Sequence, residues 1–149
     1  MTVAERDLID GLIATYRNLN SKVRPLPEDR LRLVGKEGSV RDVVARLRDD
    51  ELRFSQALKQ TVTGVAVPDV FSEEAAVVGT ESSDDSTATI LAQFGTARES
   101  TLAMLRSLPP TDWDTQIDGT RSVRSRIERL NENDRRHMER IVALLGSPA

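Results

Sequence analysis

Four stretches of this chain repeat apolar residues every three or four positions. Leu8, Leu12, Tyr16, Leu19 and Val23 make the first stripe, within 3–23. Val40, Val43, Val44, Leu47, Phe54, Leu58 and Val62 make the second. Ile90, Phe94, Ala97, Thr101, Leu105 and Leu108 make the third, within 86–108, and Val123, Ile127, Leu130, Met138, Ile141 and Leu145 the fourth, within 123–145. This is the period of an α-helix with one buried face, and four such helices of about 20 residues have to bury their stripes on one another. The punctuation agrees. Arg24-Pro25-Leu26-Pro27 ends the first segment, Gly64 the second, Pro109-Pro110 the third, and Gly146 and Pro148 the fourth, because proline cannot continue the hydrogen-bond ladder and glycine suits a helix terminus. Ser39 and Ser122 stand where N-caps are expected, with Asp42 in the first turn of the second helix. The expected fold is therefore all-α, a four-helix bundle forming one domain over 1–149.

The connection over 64–85, GVAVPDVFSEEAAVVGTESSDD, is longer than bundle loops usually are. It predicts a crossover, a short extra helix over 72–77, or a lid. VAVPDVF and AAVVG read as loop rather than strand, given the proline and the small polar flanks. The gap TDWDTQIDGTR holds the only tryptophan, Trp113, expected to anchor its loop on the bundle.

Composition removes several functions. A formal charge of −3 and a pI near 5.3 leave no basic excess for phosphate backbones or anionic lipid. The arginines of the last helix alternate with Glu128, Glu132 and Glu139 as a solvated, ion-paired face, and aromatic stacking residues are scarce. Neither a nucleic-acid nor a membrane partner is expected. No apolar run is long enough to cross a bilayer, and charges occupy MTVAERDLIDGL, so a cytoplasmic location is expected. With no cysteine, a thiolate site or cysteine nucleophile cannot form, and with one histidine no site of several imidazoles can form in one chain. Gly35-Lys36-Glu37-Gly38-Ser39 lacks the strand and spacing of a phosphate-binding loop.

Function has to be sought in residues that break the pattern. Glu51 lies near the centre of the second stripe and Asp134 near the middle of the fourth, so the bundle should hold something polar there. Glu51 is expected either to pair with an arginine or to lie near an end of the packed layer. The sole histidine, His137, sits at the edge of the fourth stripe in RLNENDRRHMERI, one turn after Asn133. Read by itself, it is a packed histidine bonded to a neighbour such as Asp134 or Glu51. A metal held by His137, Glu51 and Asp134 is the alternative, and requires three groups to converge.

Two segments resemble a known family. GSVRDVVARLRDDELRF is similar to the segment of DinB-like (YfiT-like) proteins in which Trp-Ser leads into a Leu-His-Leu core, with a glutamate five residues after the histidine. SRIERLNENDRRHMERIVALL resembles that family's closing helix, where two histidines four apart flank an Asp-Arg-Arg run. The order of helices, the long second connection and the LRSLPPTDWD ending of the third helix extend the resemblance over nearly the whole chain. It implies an up-down-down-up bundle and a divalent metal held by three histidines, one from the second helix and two from the last. Those positions fall on Arg46, Asn133 and His137 here, so only His137 keeps an imidazole. Arginine has no lone pair to give and an amide oxygen is a weak ligand.

The resemblance thus implies a degenerate metal triad. Arg46 is expected to reach an acid such as Glu51 or Asp134 in the cation's place, although it lies about 125° from the centre of its helix's apolar arc and points toward solvent on the wheel. No cofactor is expected, with a divalent metal as the alternative. Three functions follow: a metal-free bundle binding a small molecule or partner, a metal-dependent thiol (mycothiol-type) S-transferase or hydrolase, and a structural or regulatory homodimer.

Overall fold

The computed structural model describes residues 1–36, 38–64, 85–117 and 121–146. Among them the regular structure is helical, with two isolated β-bridges and no strand. Helix α1 is Val3–Lys22, α2 Glu28–Leu31, α3 Val40–Thr63, α4 Thr87–Ser107 and α5 Val123–Gly146, with a 3-10 turn at Pro110–Asp114 before α5. The extra helix expected over 72–77 lies outside the described residues.

Local chemistry sets the ends of these helices. Ser39 Oγ accepts from Asp42 N while Asp42 Oδ2 accepts from Ser39 N, each at 3.1 Å, a capping box that satisfies two otherwise orphaned donors. Gly64 closes α3 in the left-handed conformation at φ 70°, which a side chain would strain. Ser86 caps α4, and Ser122 accepts from Ser125 N at the start of α5. Sequence missed α2: Pro27 pre-sets the chain and Glu28-Asp29 favour the helix N-terminus, so one turn forms and buries Leu31.

The four long helices pack on each other, α3 along α4 and α5, and α1 against α4 and α5. Their buried faces form two apolar clusters. One contains Leu12, Phe54, Leu102, Leu105, Ile127 and Leu130; Trp113 joins it, 1 % exposed, so the 3-10 turn is pinned to the bundle as expected. The other contains Leu19, Leu47, Ile90, Phe94 and Ile141. Val62, assigned to the second stripe, is 42 % exposed: the apolar face of α3 ends at Leu58.

Close approach of α1 to its neighbours depends on two glycines. A Cβ at Gly95 would overlap the Tyr16 hydroxyl and ring, and one at Gly11 would overlap the Asn131 amide. Asn131 in turn donates to the carbonyls of Leu8 and Ile127, at 3.1 and 3.2 Å.

Glu5 ties the start of α1 to the start of α5. Its carboxyl closes a capping box with Thr2 and accepts from Arg124 Nη2 at 2.7 Å; Arg124 also reaches Asp114 and lies over Trp113. The Arg124 hydrogen bond first, then the Thr2 backbone N–H, hold the Glu5 carboxyl below its ordinary value near 4.5, against the opposing effect of burial. A depressed folded-state pKa gives stability that is present above the unfolded value and lost as pH falls through the folded one. The urea midpoint should therefore drop as pH is lowered below about 4.5. In Glu5→Gln, already less stable at neutral pH, that drop should be shallower; an unchanged slope would remove Glu5 from the acid transition.

Candidate functional site

Each long helix contributes a buried polar side chain to one connected group between the two apolar clusters. Thr15 follows Leu12 and precedes Leu19 on α1; Glu51 lies between Leu47 and Phe54 on α3; Arg98 between Phe94 and Leu102 on α4; Asp134 between Leu130 and Ile141 on α5. Together they form a charged layer across the core, with Glu51 0 % and Arg98 1 % exposed.

Arg98 organises the layer. Nη1 donates to Asp134 Oδ2 at 2.9 Å and to the Leu12 carbonyl at 2.8 Å; Nη2 donates to Glu51 Oε1 at 2.8 Å and to Asp134 Oδ1 at 3.2 Å. The Thr15 hydroxyl lies 2.8 Å from Asp134 Oδ2. The Phe94 ring covers one face of the guanidinium, its centroid 4.9 Å from Cζ. Burial disfavours the charged form of Arg98, but the charges of Glu51 and then Asp134 outweigh it, and the guanidinium pKa lies above its ordinary value. Two atoms of the layer remain without a hydrogen-bond partner, Glu51 Oε2 and Arg98 Nε.

The partner expected for Glu51 is thus Arg98, which sequence reading passed over. Its signal was present: Ile90, Phe94, Arg98, Thr101 and Leu105 step by four, four, three and four, placing Arg98 in the middle of the α4 stripe.

The three positions carried over from the family resemblance are linked differently. Arg46 Nε pairs with Asp50 Oδ1 at 3.2 Å, and Asn133 Nδ2 donates to Asp50 Oδ2, also at 3.2 Å, so one carboxylate joins α3 to α5. The Arg46 side chain is 66 % exposed, and its acid is Asp50 rather than Glu51 or Asp134. His137 is buried, and its Nδ1 lies 2.8 Å from the Asn133 carbonyl. His137 is thus the packed, hydrogen-bonded histidine expected, but its partner is not Asp134 or Glu51: both of those acids are turned onto Arg98, while the carbonyl one turn back is within reach of the imidazole. A carbonyl only accepts, so Nδ1 carries the proton and Nε2 the lone pair in the neutral ring.

Neither set of residues fits a divalent cation. At the carried-over positions Arg46 offers a permanent positive charge, and the Asn133 amide is committed to Asp50 through its N–H. In the alternative set, Glu51 and Asp134 do converge, but on Arg98, whose guanidinium occupies the place between them. Among the described residues no group of three His, Asp or Glu side chains is arranged to hold a metal ion.

A pocket of about 180 Å³ opens where the end of α1 meets α2 and the start of α4. Val23, Leu26, Leu31 and Leu91 supply apolar walls, with Arg24 and Glu28 beside them. Glu28 accepts from Thr87 N and Oγ1 and from Arg32, capping α4 from another element. No helix among the described residues is long and apolar enough to cross a membrane. No protein-family model matches the chain, and no curated protein or solved structure does either.

Proposed function

We propose that this chain is a DinB-like bundle that works without a resident divalent metal and uses its fold to bind a small molecule. The observation that carries this reading is the Arg46–Asp50–Asn133 bridge. Where the family would bring histidines from two helices to a cation, this chain joins the same two helices through a carboxylate that accepts from a guanidinium and an amide. Charge is balanced there by side chains alone, so the helices need no metal to hold them together.

The run of the helices supports the same reading. From N- to C-terminus, α1 and α5 pass from the Leu12 cluster to the Leu19 cluster, while α3 and α4 pass the other way. That run supports the up-down-down-up order that the resemblance implies. The sequence over 64–85 has the length to join two parallel helices.

The pocket beside α2 is the place for the ligand. Its volume of about 180 Å³ is the size of a single-ring molecule, with an apolar body against Leu31 and Leu91 and a polar group toward Arg24 or Glu28. Single-ring fragments that bind there should perturb the methyl resonances of Val23, Leu31 and Leu91 before any others.

Elemental analysis of protein purified without a histidine tag tests the metal-free reading. Nickel, zinc and manganese are each expected far below one per chain, with no rise in melting temperature when any of them is added. Near-stoichiometric metal that disappears in His137→Ala would overturn it in favour of a metal-dependent, mycothiol-type transferase, for which the His137 Nε2 lone pair is the remaining donor.

A further inference from the structure

We infer, resting on the pocket beside α2 as the ligand site, that its ligand is a small organic monocarboxylate: one apolar ring whose carboxylate meets the end of the Arg24 guanidinium.

Four polar side chains border the pocket, those of Arg24, Glu28, Ser86 and Thr87. Three of them are engaged within the protein. Glu28 Oε1 accepts from Arg32 Nε at 2.7 Å and from Thr87 Oγ1 at 3.1 Å, and both of its oxygens lie 3.1 Å from Thr87 N. Its negative charge is thus matched by Arg32 and by the N-terminus of α4. Thr87 gives its hydroxyl to Glu28, and the Ser86 hydroxyl accepts from Thr89 N and lies 3.0 Å from Thr89 Oγ1.

Arg24 is different. Its Nε donates to Asn20 Oδ1 at 2.6 Å, and the Asn20 amide is oriented for this by its own N–H, which donates to the Tyr16 carbonyl at 3.1 Å. An amide oxygen carries no charge, so the guanidinium keeps its own. Among the described residues no carboxylate pairs with Arg24, and its Nη1 and Nη2 have no acceptor. With Nε taken, the end of the fork is what remains, and that edge matches the two oxygens of a carboxylate.

Charge and lining complete the selection. One unmatched positive charge suits a monoanion; a phosphate dianion would bring surplus negative charge beside Glu28. Leu26, Leu31, Ala88 and Leu91 offer no side-chain hydrogen bond, so the body of the molecule has to be apolar.

Titration of the methyl-labelled full chain with benzoate, benzamide, benzylamine and phenyl phosphate tests this, since the four share a ring and differ in head group. Benzoate should shift the Val23, Leu31 and Leu91 methyl resonances with a Kd about threefold below that of each of the others, a modest gain because Arg24 is exposed. In Arg24→Gln, benzoate should bind only as well as benzamide, whose own affinity should not change. Equal affinity of wild type for all four would overturn the carboxylate and leave the pocket standing as the ligand site. Tightest binding of benzylamine would put the head group on Glu28, and tightest binding of phenyl phosphate would replace the carboxylate; either result overturns the inference. A benzoate preference that survives Arg24→Gln overturns the role of Arg24. If none of the four shifts these methyls, the pocket itself fails as the ligand site, and the inference with it. Should Arg24→Gln fail to fold, the wild-type order of the four probes decides.

Discussion

Arg98→Met should lower the free energy of unfolding by about 3–5 kcal/mol, a large part of what a single domain of this size holds. The substitution keeps an unbranched, apolar stem but removes the guanidinium that covers Phe94 and that, among the described residues, alone pairs with both Glu51 and Asp134. Two buried carboxyl groups would then face each other with no cation between them. The loss is therefore the cost of stranding charge, and it is larger than the net worth of the ion pairs.

The companion variant separates these two quantities. Replacing Glu51, Arg98 and Asp134 together by Leu, Met and Leu should return stability to the wild-type level or raise it by about 1–4 kcal/mol, because well-packed apolar residues need no desolvation to be repaid. The Thr15 hydroxyl would still have the Gly11 carbonyl, 3.2 Å away, as acceptor. Urea denaturation followed by circular dichroism measures both variants. An Arg98→Met protein as stable as wild type would show that the layer is open to solvent.

Gly95→Ala is the second large effect, and its sign is the test. Glycine within a helix is worse than alanine by about 1 kcal/mol, so local propensity predicts stabilisation. Packing predicts the opposite. The new methyl would overlap the Tyr16 ring, which also packs on Phe94 with centroids 6.0 Å apart. Overpacking of this kind costs about 1–3 kcal/mol, so the net result should be a loss of up to about 2 kcal/mol. In a Tyr16→Ala background the obstacle is gone, and the same substitution should become stabilising by up to about 1 kcal/mol. Thermal melts of the four proteins of this cycle decide it; equal effects in both backgrounds would mean that α1 does not rest on Gly95.

These two residues show where sequence reading reached and where it stopped. Glu51 and Asp134 stood out as charges on apolar stripes, yet Arg98, on a stripe of its own, was passed over because a long cationic side chain can also extend along a helix to water. The acid for Arg46 was legible in principle, since Asp50 is one turn away on the same helix. That Asp50 also receives Asn133 was not, because the two lie 83 positions apart. His137 illustrates the reverse. Its partner is a backbone carbonyl one turn earlier on the same helix, a local acceptor that was passed over in favour of carboxylate side chains.

What the sequence by itself determined was the four long helices and where they end. Ser39, Gly64, Ser86 and Ser122 act on backbone groups within about four residues, and the apolar period is a property of each helix alone. Only the tertiary structure decided which charges meet. Arg98 reaches Glu51 and Asp134 across 47 and 36 positions, and that meeting depends on how α4 is rotated and how far it slides along α3 and α5. Rotation and slide are set by the interlocking of whole faces, including the gap that Gly95 leaves for Tyr16, and no short window of sequence contains them.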